Sequence, residues 1–233
     1  MRGARVARGR TRRRARRPRE QREREILAAA REVFSERGFA GASVALVARR
    51  ADVAEATVYQ CFAGKQDLLV AVIRAFYEPL IADAENGVRQ IRGAANRLRF
   101  LVGRHLEAFT ADRGLCRLVI RELRADPGAH GRAVRELNRR YTAHALLAIE
   151  DGIRDGELRA DLVPATIRDL IYGGIEHAVW GHVAGGAALD LPHLADQLAD
   201  ALLAGIEARP RPSERAADRL ERILERLEER VGP

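Results

Sequence analysis

The hydrophobic positions between residues 20 and 65 follow the spacing of three short helices. The first predicted helix has one apolar face, and Gly38 is expected to end it. This face consists of Ile26, Leu27, Ala30, Val33 and Phe34. Ser43 is a good N-cap for the second helix, and a break at residues 52–54 separates it from a third helix over residues 55–61. The last two helices have the layout of a helix-turn-helix, whose second helix lies in the major groove of DNA.

From residue 65 onward the chain has the pattern of successive amphipathic helices, and no segment alternates with period two for long enough to predict a strand. The fold class is therefore predicted to be all-α. Helices are expected over residues 65–82, 88–109, 116–124, 134–149, 164–185 and 191–206, with a last one over residues 220–231. Gly152 or Gly156 is expected to close the helix that begins near residue 134, and Pro164 suits the first turn of the next helix.

This pattern divides the chain into four parts. The predicted parts are a basic tail over residues 1–19, a three-helix helix-turn-helix domain over residues 20–65, a larger helical domain over residues 66–207, and a linker with an amphipathic helix over residues 208–233. The proline-containing run at residues 209–212 marks the linker.

The positive charge of the chain is concentrated in its tail. The 233 residues carry a net charge of +8, yet residues 1–19 hold ten arginines and no acid, which leaves 31 basic and 33 acidic groups elsewhere. Such a block is expected to be disordered and to bind a polyanion, although a solvated tail, an extended start site or a cloning remnant is the alternative. Residues 20–65 hold seven basic and seven acidic groups, so the tail is a candidate for the charge that DNA binding needs.

Several classes of protein are not supported by the sequence. No apolar run approaches the roughly 18 to 20 residues that cross a membrane, and the basic start lacks the apolar segment of a secretory signal. Cys61 and Cys116 form neither a disulfide framework nor a metal motif, and the six histidines lack a metal-binding spacing. We therefore expect a cytoplasmic protein with no metal and no cofactor. Without a nucleophile elbow, a phosphate-binding glycine loop or an acid–base pair, we also expect no enzyme activity.

A set of residues at fixed spacing within residues 20–65 resembles the DNA-binding motif of the TetR family. The matching positions are Gly38-Phe39-Ala40-Gly41-Ala42-Ser43-Val44, Val47-Ala48, Ala51, Val53, Thr57-Val58-Tyr59, Phe62 and Lys65. The resemblance implies a homodimer whose ligand-binding and dimerisation domain covers residues 66–207. It further implies a transcriptional repressor that binds a palindromic operator in double-stranded DNA and is released by a small-molecule effector. A DNA-packaging protein without sequence preference, acting through the arginine tail, is the alternative.

The resemblance and the residue types together indicate candidate contacts to DNA. They are Ser43, Arg49, Glu55, Thr57, Tyr59, Gln60 and Lys65. Ser43 can offer its hydroxyl or backbone N–H to a phosphate, and Gln60 suits an adenine edge. Lys65, the only lysine of the chain, resembles the phosphate-binding lysine of the family. Arg49 and Arg50 could both reach the DNA backbone, although one of them could instead face solvent.

The turn of the motif departs from the family pattern. The family usually has Gly-Val-Ser where this chain has Asp52-Val53-Ala54. Alanine is a poor N-cap, and a capping box between Asp52 and Glu55 would move the start of the third helix back. Cys61 stands where the family usually has an aromatic residue or a histidine, so one phosphate contact is expected to be missing.

Small residues form a stripe along the helix that begins at Pro164, and small residues let two helices approach closely. We expect this stripe and the helix over residues 191–206 to form the dimer interface, with packing of the stripe inside one chain as the alternative. The interface candidates are Gly174, Ala178, Gly181, Leu194, Leu198 and Leu202.

Polar and aromatic groups on otherwise buried helices are the candidates for effector binding, or else they are hydrogen-bonded core residues. They are His105, Tyr141, His144, Tyr172, Glu176, His177 and Trp180. The run GELRAD over residues 156–161 is common among family members that resemble fatty-acid regulators. A hydrophobic or acyl-CoA-like effector is therefore one option.

Overall fold

The computed structural model of the chain describes residues 18–124 and 128–208. Apart from one isolated bridge between Leu158 and Glu207, these residues form helices and no strand, which confirms the all-α fold class. The helices are α1 (Arg19–Gly41), α2 (Val44–Arg50), α3 (Glu55–Tyr59), α4 (Lys65–Gln90), α5 (Ala94–Ala111), α6 (Arg113–Arg124), α7 (Ala129–Arg154), α8 (Pro164–Gly185) and α9 (Leu191–Ile206). Residues 1–17 of the arginine tail and the predicted helix over residues 220–231 lie outside the described residues.

The chain divides into two compact units between Ile73 and Arg74, within α4. The first unit packs α1 against α2 and α2 against α3 around an apolar core. The buried side chains of this core include Ile26, Ala30, Phe34, Val47, Val58, Phe62, Leu68 and Leu69. Gly38 has a φ of +68°, which interrupts the helical backbone of α1 as the sequence predicts, and one further turn then continues to Gly41.

Helix α5 is central to the second unit, because it packs against α7, α8 and α9. Helix α6 packs on α7 and α8, and α7 packs on α8. The inward faces of α5, α7 and α8 therefore meet one another. None of the helices in the described ranges combines the length and the apolar character that crossing a membrane requires.

The predicted single helix over residues 88–109 is wrong. Helix α4 continues to Gln90, and α5 begins only at Ala94. Gly93 has a φ of +83°, a left-handed conformation that suits glycine and separates the two helices. The Glu157 carboxylate accepts a hydrogen bond from the backbone N–H of Ala94 and so caps the start of α5.

The sequence offers Gly152 and Gly156 as residues that could end α7, and the structure shows which of them does. Gly156 closes the helix with a φ of +76°. Gly152 lies inside α7, where a Cβ atom would stand 2.5 Å from the Cβ of Ala94 and 2.8 Å from Leu158. Gly152 therefore lets α7 approach the start of α5 closely.

Residues 156–161, called the GELRAD segment below, hold the end of α9 as well. The backbone N–H of Arg159 donates to the carbonyl of Ile206 at 2.9 Å, and its guanidinium donates to the carbonyl of Gly205 at 2.8 Å. Asp161 pairs with the same guanidinium at 2.6 Å. Glu157 of the same segment caps the start of α5, and the segment itself follows the end of α7. The GELRAD segment therefore joins the ends of α7 and α9 to the start of α5, and its side chains have structural roles.

Candidate functional site

The helix-turn-helix of the first unit directs apolar side chains inward and polar side chains outward. On α3, Val58 is fully buried, whereas Tyr59 is 54% exposed. Glu55 and Gln60 are also exposed, and Thr57 is half-buried. The exposed face of α3 therefore carries the groups that can form hydrogen bonds with base edges.

The turn before α3 is held by backbone hydrogen bonds. The N–H of Val53 donates to the carbonyl of Ala48 at 3.0 Å. Asp52 has a φ of +52°, so a non-glycine residue occupies the left-handed conformation at the position where the family has glycine. Ala54 is the N-cap of α3 and supplies no side-chain hydrogen bond, so α3 begins at Glu55 and the predicted capping box does not move its start.

Ser43 caps α2 as predicted. Its hydroxyl accepts a hydrogen bond from the backbone N–H of Leu46 at 3.2 Å, and the side chain remains exposed. The hydroxyl has a second lone pair and one proton left. Ser43 can therefore cap the helix and contact a phosphate at the same time.

The two adjacent arginines at the end of α2 have different surroundings. The guanidinium of Arg50 binds both oxygens of Glu36 at 3.0 and 3.1 Å and one oxygen of Glu32 at 2.5 Å. The hydrogen bonds that Arg50 donates to Glu36 and Glu32 raise the pKa of Arg50, and the bond to Glu36 lowers the pKa of that carboxyl group. Arg49 is exposed, and its guanidinium has no hydrogen bond or ion pair among the described residues. Arg49 is thus the better candidate for a phosphate contact.

Lys65 at the start of α4 is positioned by the last turn of α1. Its ammonium lies 4.4 Å from the centroid of the Phe39 ring and 3.4 Å from the carbonyl oxygen of Ala40. The Asp67 carboxylate accepts a hydrogen bond from the backbone N–H of Ala63, which caps the same helix end. The lysine is half-buried, so a positive group is held in place rather than mobile in solvent.

Four side chains form an aromatic cluster where α5, α7 and α8 meet: His105, Phe109, Tyr141 and Tyr172. The His105 ring lies 4.0 Å from the Phe109 centroid, 5.6 Å from the Tyr141 centroid and 4.9 Å from the Tyr172 centroid. His105 Nδ1 and the Tyr141 hydroxyl are 3.3 Å apart and form a hydrogen bond. Three of the seven effector candidates are thus brought together in one cluster.

The polar atoms of this region are only partly satisfied. His105 Nε2, the Tyr172 hydroxyl and His144 Nε2 are buried, and none has a hydrogen-bond partner among the described residues. A buried donor or acceptor without a partner costs about 1 to 3 kcal/mol. Burial alone lowers the pKa of His105 from 6.5 to about 3, and burial is also the main cause that raises the pKa of Tyr172. The cluster therefore holds neutral groups.

The other effector candidates lie elsewhere. Glu176, His177 and Trp180 line a separate cleft of about 160 Å³ together with Ile120 of α6. His144 is one turn from Tyr141 on α7 and is half-buried, with a pKa that burial lowers. The seven candidates therefore do not form one site.

The outward face of α8 carries exposed apolar side chains and glycines. A Cβ atom added at Gly174 or Gly181 would meet no atom within 4 Å, so the glycine stripe packs against nothing else in the described chain. Leu170 is 61% exposed and Trp180 is 40% exposed. Ala178, Leu194, Leu198 and Leu202 are half-buried. Among the described residues, no neighbouring helix stands within 4 Å of a Cβ atom built on either glycine.

Two family models match the chain. Residues 26–72 match the bacterial regulatory proteins of the tetR family, and residues 92–206 match the tetracyclin repressor-like C-terminal domain. An uncharacterised HTH-type regulator of Bacillus subtilis, YdeS, is 31% identical over 64% of this chain and 74% of its own length. The chain belongs to the TetR family. The matching family is one of bacterial regulatory proteins, and this relative is an HTH-type transcriptional regulator.

Other TetR-family proteins match over more of the chain. The fatty acid metabolism regulator protein of Bacillus subtilis is 26% identical over 78% of this chain and 94% of its own length. The solved structure of the transcriptional regulator FadR from Bacillus subtilis, in complex with stearoyl-CoA, superposes with a TM-score of 0.73 at 25% identity and covers 78% of this chain and 98% of that chain. The fold of FadR from Bacillus halodurans is also similar, with a TM-score of 0.72 at 24% identity over 78% of this chain and 98% of that chain.

The sequence did not indicate two neighbours of the aromatic cluster, Phe76 and Tyr77. Phe76 lies 5.4 Å from Phe109, and Tyr77 lies 5.7 Å from Tyr141, with ring centroids as the reference points. The Tyr77 hydroxyl forms a hydrogen bond with the Asn138 amide oxygen at 3.0 Å. Phe76 and Tyr77 stand next to each other in the sequence. Nothing in the sequence around them predicts that they contact residues of α5 and α7. Among the described residues, no group of three potential metal ligands comes together.

Proposed function

We propose that this chain is a ligand-responsive transcriptional repressor that binds a palindromic operator as a homodimer and is released by a hydrophobic effector, with an acyl-CoA thioester as the first candidate. The exposed face of α3 carries this proposal. Val58 anchors the helix in the core while Tyr59 and Gln60 remain in solvent. Base reading in the major groove requires such a supported helix with free polar groups.

The proposed contacts fall into two kinds. Ser43, Arg49 and Lys65 bind phosphates and position the first unit on DNA, because each offers a donor at a helix end. Base edges are read from α3 by Glu55, Thr57, Tyr59 and Gln60. Of these, Gln60 has the amide that can bind adenine with two hydrogen bonds.

The exposed apolar side chains and open glycines of α8 support a homodimer. Exposed apolar surface of this kind commonly marks a protein interface, and Gly174 and Gly181 leave room for a neighbouring backbone. The effector class is supported by similarity. The solved structure of FadR from Bacillus subtilis, which this chain covers over 98% of its length, is in complex with stearoyl-CoA. We extend that class to this chain as a proposal.

The decisive experiment is selection of bound sequences from random DNA at moderate salt with the full-length chain. A repressor of this type is expected to select a palindrome, and palmitoyl-CoA is expected to displace the selected DNA. The ten arginines of residues 1–19 favour the alternative, a DNA-packaging protein. Selection without any preferred sequence would support packaging and overturn the repressor.

Two substitutions separate base reading from phosphate binding. Lys65→Ala is expected to weaken binding by about 1 to 3 kcal/mol for all operator variants, as for a lost charged hydrogen bond. Gln60→Ala is expected to relax the preference at one base pair in each half-site. A change of base preference in Lys65→Ala, or an unchanged motif in Gln60→Ala, contradicts these roles.

A further inference from the structure

The junction of α5, α7 and α8 has polar atoms that the protein itself does not satisfy. His105 Nε2 and the Tyr172 hydroxyl are buried without a hydrogen-bond partner among the described residues, and both side chains are at least nine-tenths buried. Their rings meet edge to face at 4.9 Å, so the two atoms belong to one cluster. Folded proteins satisfy most buried polar atoms, so two such atoms in one cluster indicate a bound group.

The known hydrogen bond in the cluster defines what His105 can offer. If the Tyr141 hydroxyl donates to Nδ1, the neutral imidazole carries its proton on Nε2 and can donate it. The Tyr172 hydroxyl is a second donor. A carbonyl oxygen accepts two hydrogen bonds, and a ligand hydroxyl can accept one while donating another.

The described cations that act on the cluster tyrosines are already paired with carboxylates. The cations whose charge reaches the cluster tyrosines are Arg104 and Arg168. Arg104 pairs with Asp83 at 2.6 Å, and Arg168 pairs with Asp169 at 2.8 Å. Glu176 acts on the neighbouring Tyr77, and its charge opposes an additional negative charge there.

We propose that the aromatic cluster recognises an uncharged oxygen of an apolar ligand, such as a thioester, ester, ketone or hydroxyl group, through His105 Nε2 and the Tyr172 hydroxyl. This inference rests on the proposed function, because it states which chemistry the effector presents to the cluster. The aromatic rings beside these atoms offer apolar surface to the ligand, and the two polar atoms select the oxygen. An ionised carboxylate is rejected because its charge would be buried without a partner.

Three probes that differ only in their head groups test the selection. The affinities of 1-dodecanol, methyl laurate and laurate for the full-length chain are measured by calorimetry at pH 7.5. The alcohol and the ester are expected to bind at least about tenfold more tightly than the ionised acid. Equal or tighter binding of laurate overturns the proposal, and so does a failure of both neutral probes to bind.

A pair of variants tests the residue. Tyr172→Phe removes only the hydroxyl and is expected to weaken methyl laurate binding about fivefold, the equivalent of one neutral hydrogen bond. The unliganded Tyr172→Phe protein should be at least as stable as the wild type, because an unpaired buried group is gone. Thr142→Val is the matched control: its buried hydroxyl bonds to the carbonyl of Arg139 on the same helix, so ligand binding should not change. Unchanged binding in Tyr172→Phe overturns the assignment.

The result is independent of DNA. Probe binding is measured on the protein alone, whereas the operator selection uses no ligand. A chain that selects a palindrome but prefers laurate retains the proposed repressor function and loses this inference. A chain that selects no sequence but binds the neutral probes as stated retains the inference and loses the repressor.

Discussion

Arg50 at the end of α2 and Glu36 near the end of α1 form a bidentate ion pair, with guanidinium nitrogens 3.0 and 3.1 Å from the two carboxylate oxygens. Glu32, one turn earlier on α1, binds the same guanidinium. Planar pairing of this kind fixes the direction of the arginine as well as its charge. Arg50 therefore connects two helices of the first unit, while its neighbour Arg49 remains available.

We predict that the two arginines respond differently to alanine substitution. Arg49→Ala is expected to weaken operator binding by about 1 to 3 kcal/mol, with little change in the urea midpoint, because a phosphate contact is lost. Arg50→Ala is expected to lower the midpoint and to affect DNA binding only through that loss. Fluorescence anisotropy with operator DNA, together with urea titration, measures both. The reverse pattern would assign the phosphate contact to Arg50.

The turn before α3 can be improved. Ala54→Ser supplies the missing cap and is expected to stabilise the chain by about 0.5 to 2 kcal/mol. Ala56→Ser places the same side chain inside α3, where no cap is made, and serves as the control. Urea denaturation of both variants measures the difference. Equal stability of the two variants would show that the end of α3 is satisfied in another way.

Local signals predicted the helices whose ends are set locally. Helix α9 begins where the sequence indicates, because the Asp190 side chain caps it by accepting a hydrogen bond from the backbone N–H of His193. Ser43 likewise caps α2, and Gly186 ends α8 in a left-handed conformation. The start of α5 was missed because its cap comes from Glu157, 63 residues away.

The candidate effector site shows the same division. Helical periodicity identified His105, Tyr141 and Tyr172 as inward-facing polar or aromatic residues. It could not show that these three meet, nor that Glu176 and Trp180 line a different cleft, because those relations depend on how α5, α6, α7 and α8 pack. The distinction between Arg49 and Arg50 also required the position of α1.

Acid should destabilise the protein through His105. Its pKa is about 3 in the folded state and 6.5 as the ordinary value, so the unfolded chain binds more protons between these values. The stability is complete above about pH 6.5 and falls by about 1.4 kcal/mol for each unit of pH below it. His105→Phe is expected to flatten this dependence, and substitution of the exposed His193 by Gln is not. Urea titrations between pH 7.5 and 5 measure the free energy of unfolding of each protein. Equal slopes of this free energy against pH for the wild type and His105→Phe would contradict the role given to His105.

Gly174→Leu should separate the dimer. A Cβ atom at this position meets nothing within 4 Å in one chain, so the monomer should still fold. In the proposed dimer, the added side chain would stand between the two α8 helices. Light scattering is expected to show monomer or aggregate. Gly103→Leu on α5, where a Cβ atom also meets nothing within 4 Å, is the control and should remain dimeric. A normal dimer in Gly174→Leu would remove this glycine from the interface.

The arginine tail should appear in the salt dependence of DNA binding. Each neutralised phosphate adds about 0.9 to the slope of log affinity against log salt. Deletion of residues 2–17 is expected to flatten the slope by several units per dimer and to lower affinity for all sequences, while the selected palindrome persists. Operator titrations at several salt concentrations compare the two proteins. Parallel lines would mean that the tail does not contact DNA.

The GELRAD segment sets a rule for building hybrid regulators from this chain. Arg159 binds the last turn of α9 by donating hydrogen bonds to the main-chain carbonyls of Gly205 and Ile206, and not to side chains. A transplanted helix can therefore have a foreign sequence and still be held. Its length is a different matter, because one inserted or deleted residue turns the terminal carbonyls by about 100° around the helix axis. Grafts at this position must preserve residue count before they preserve composition.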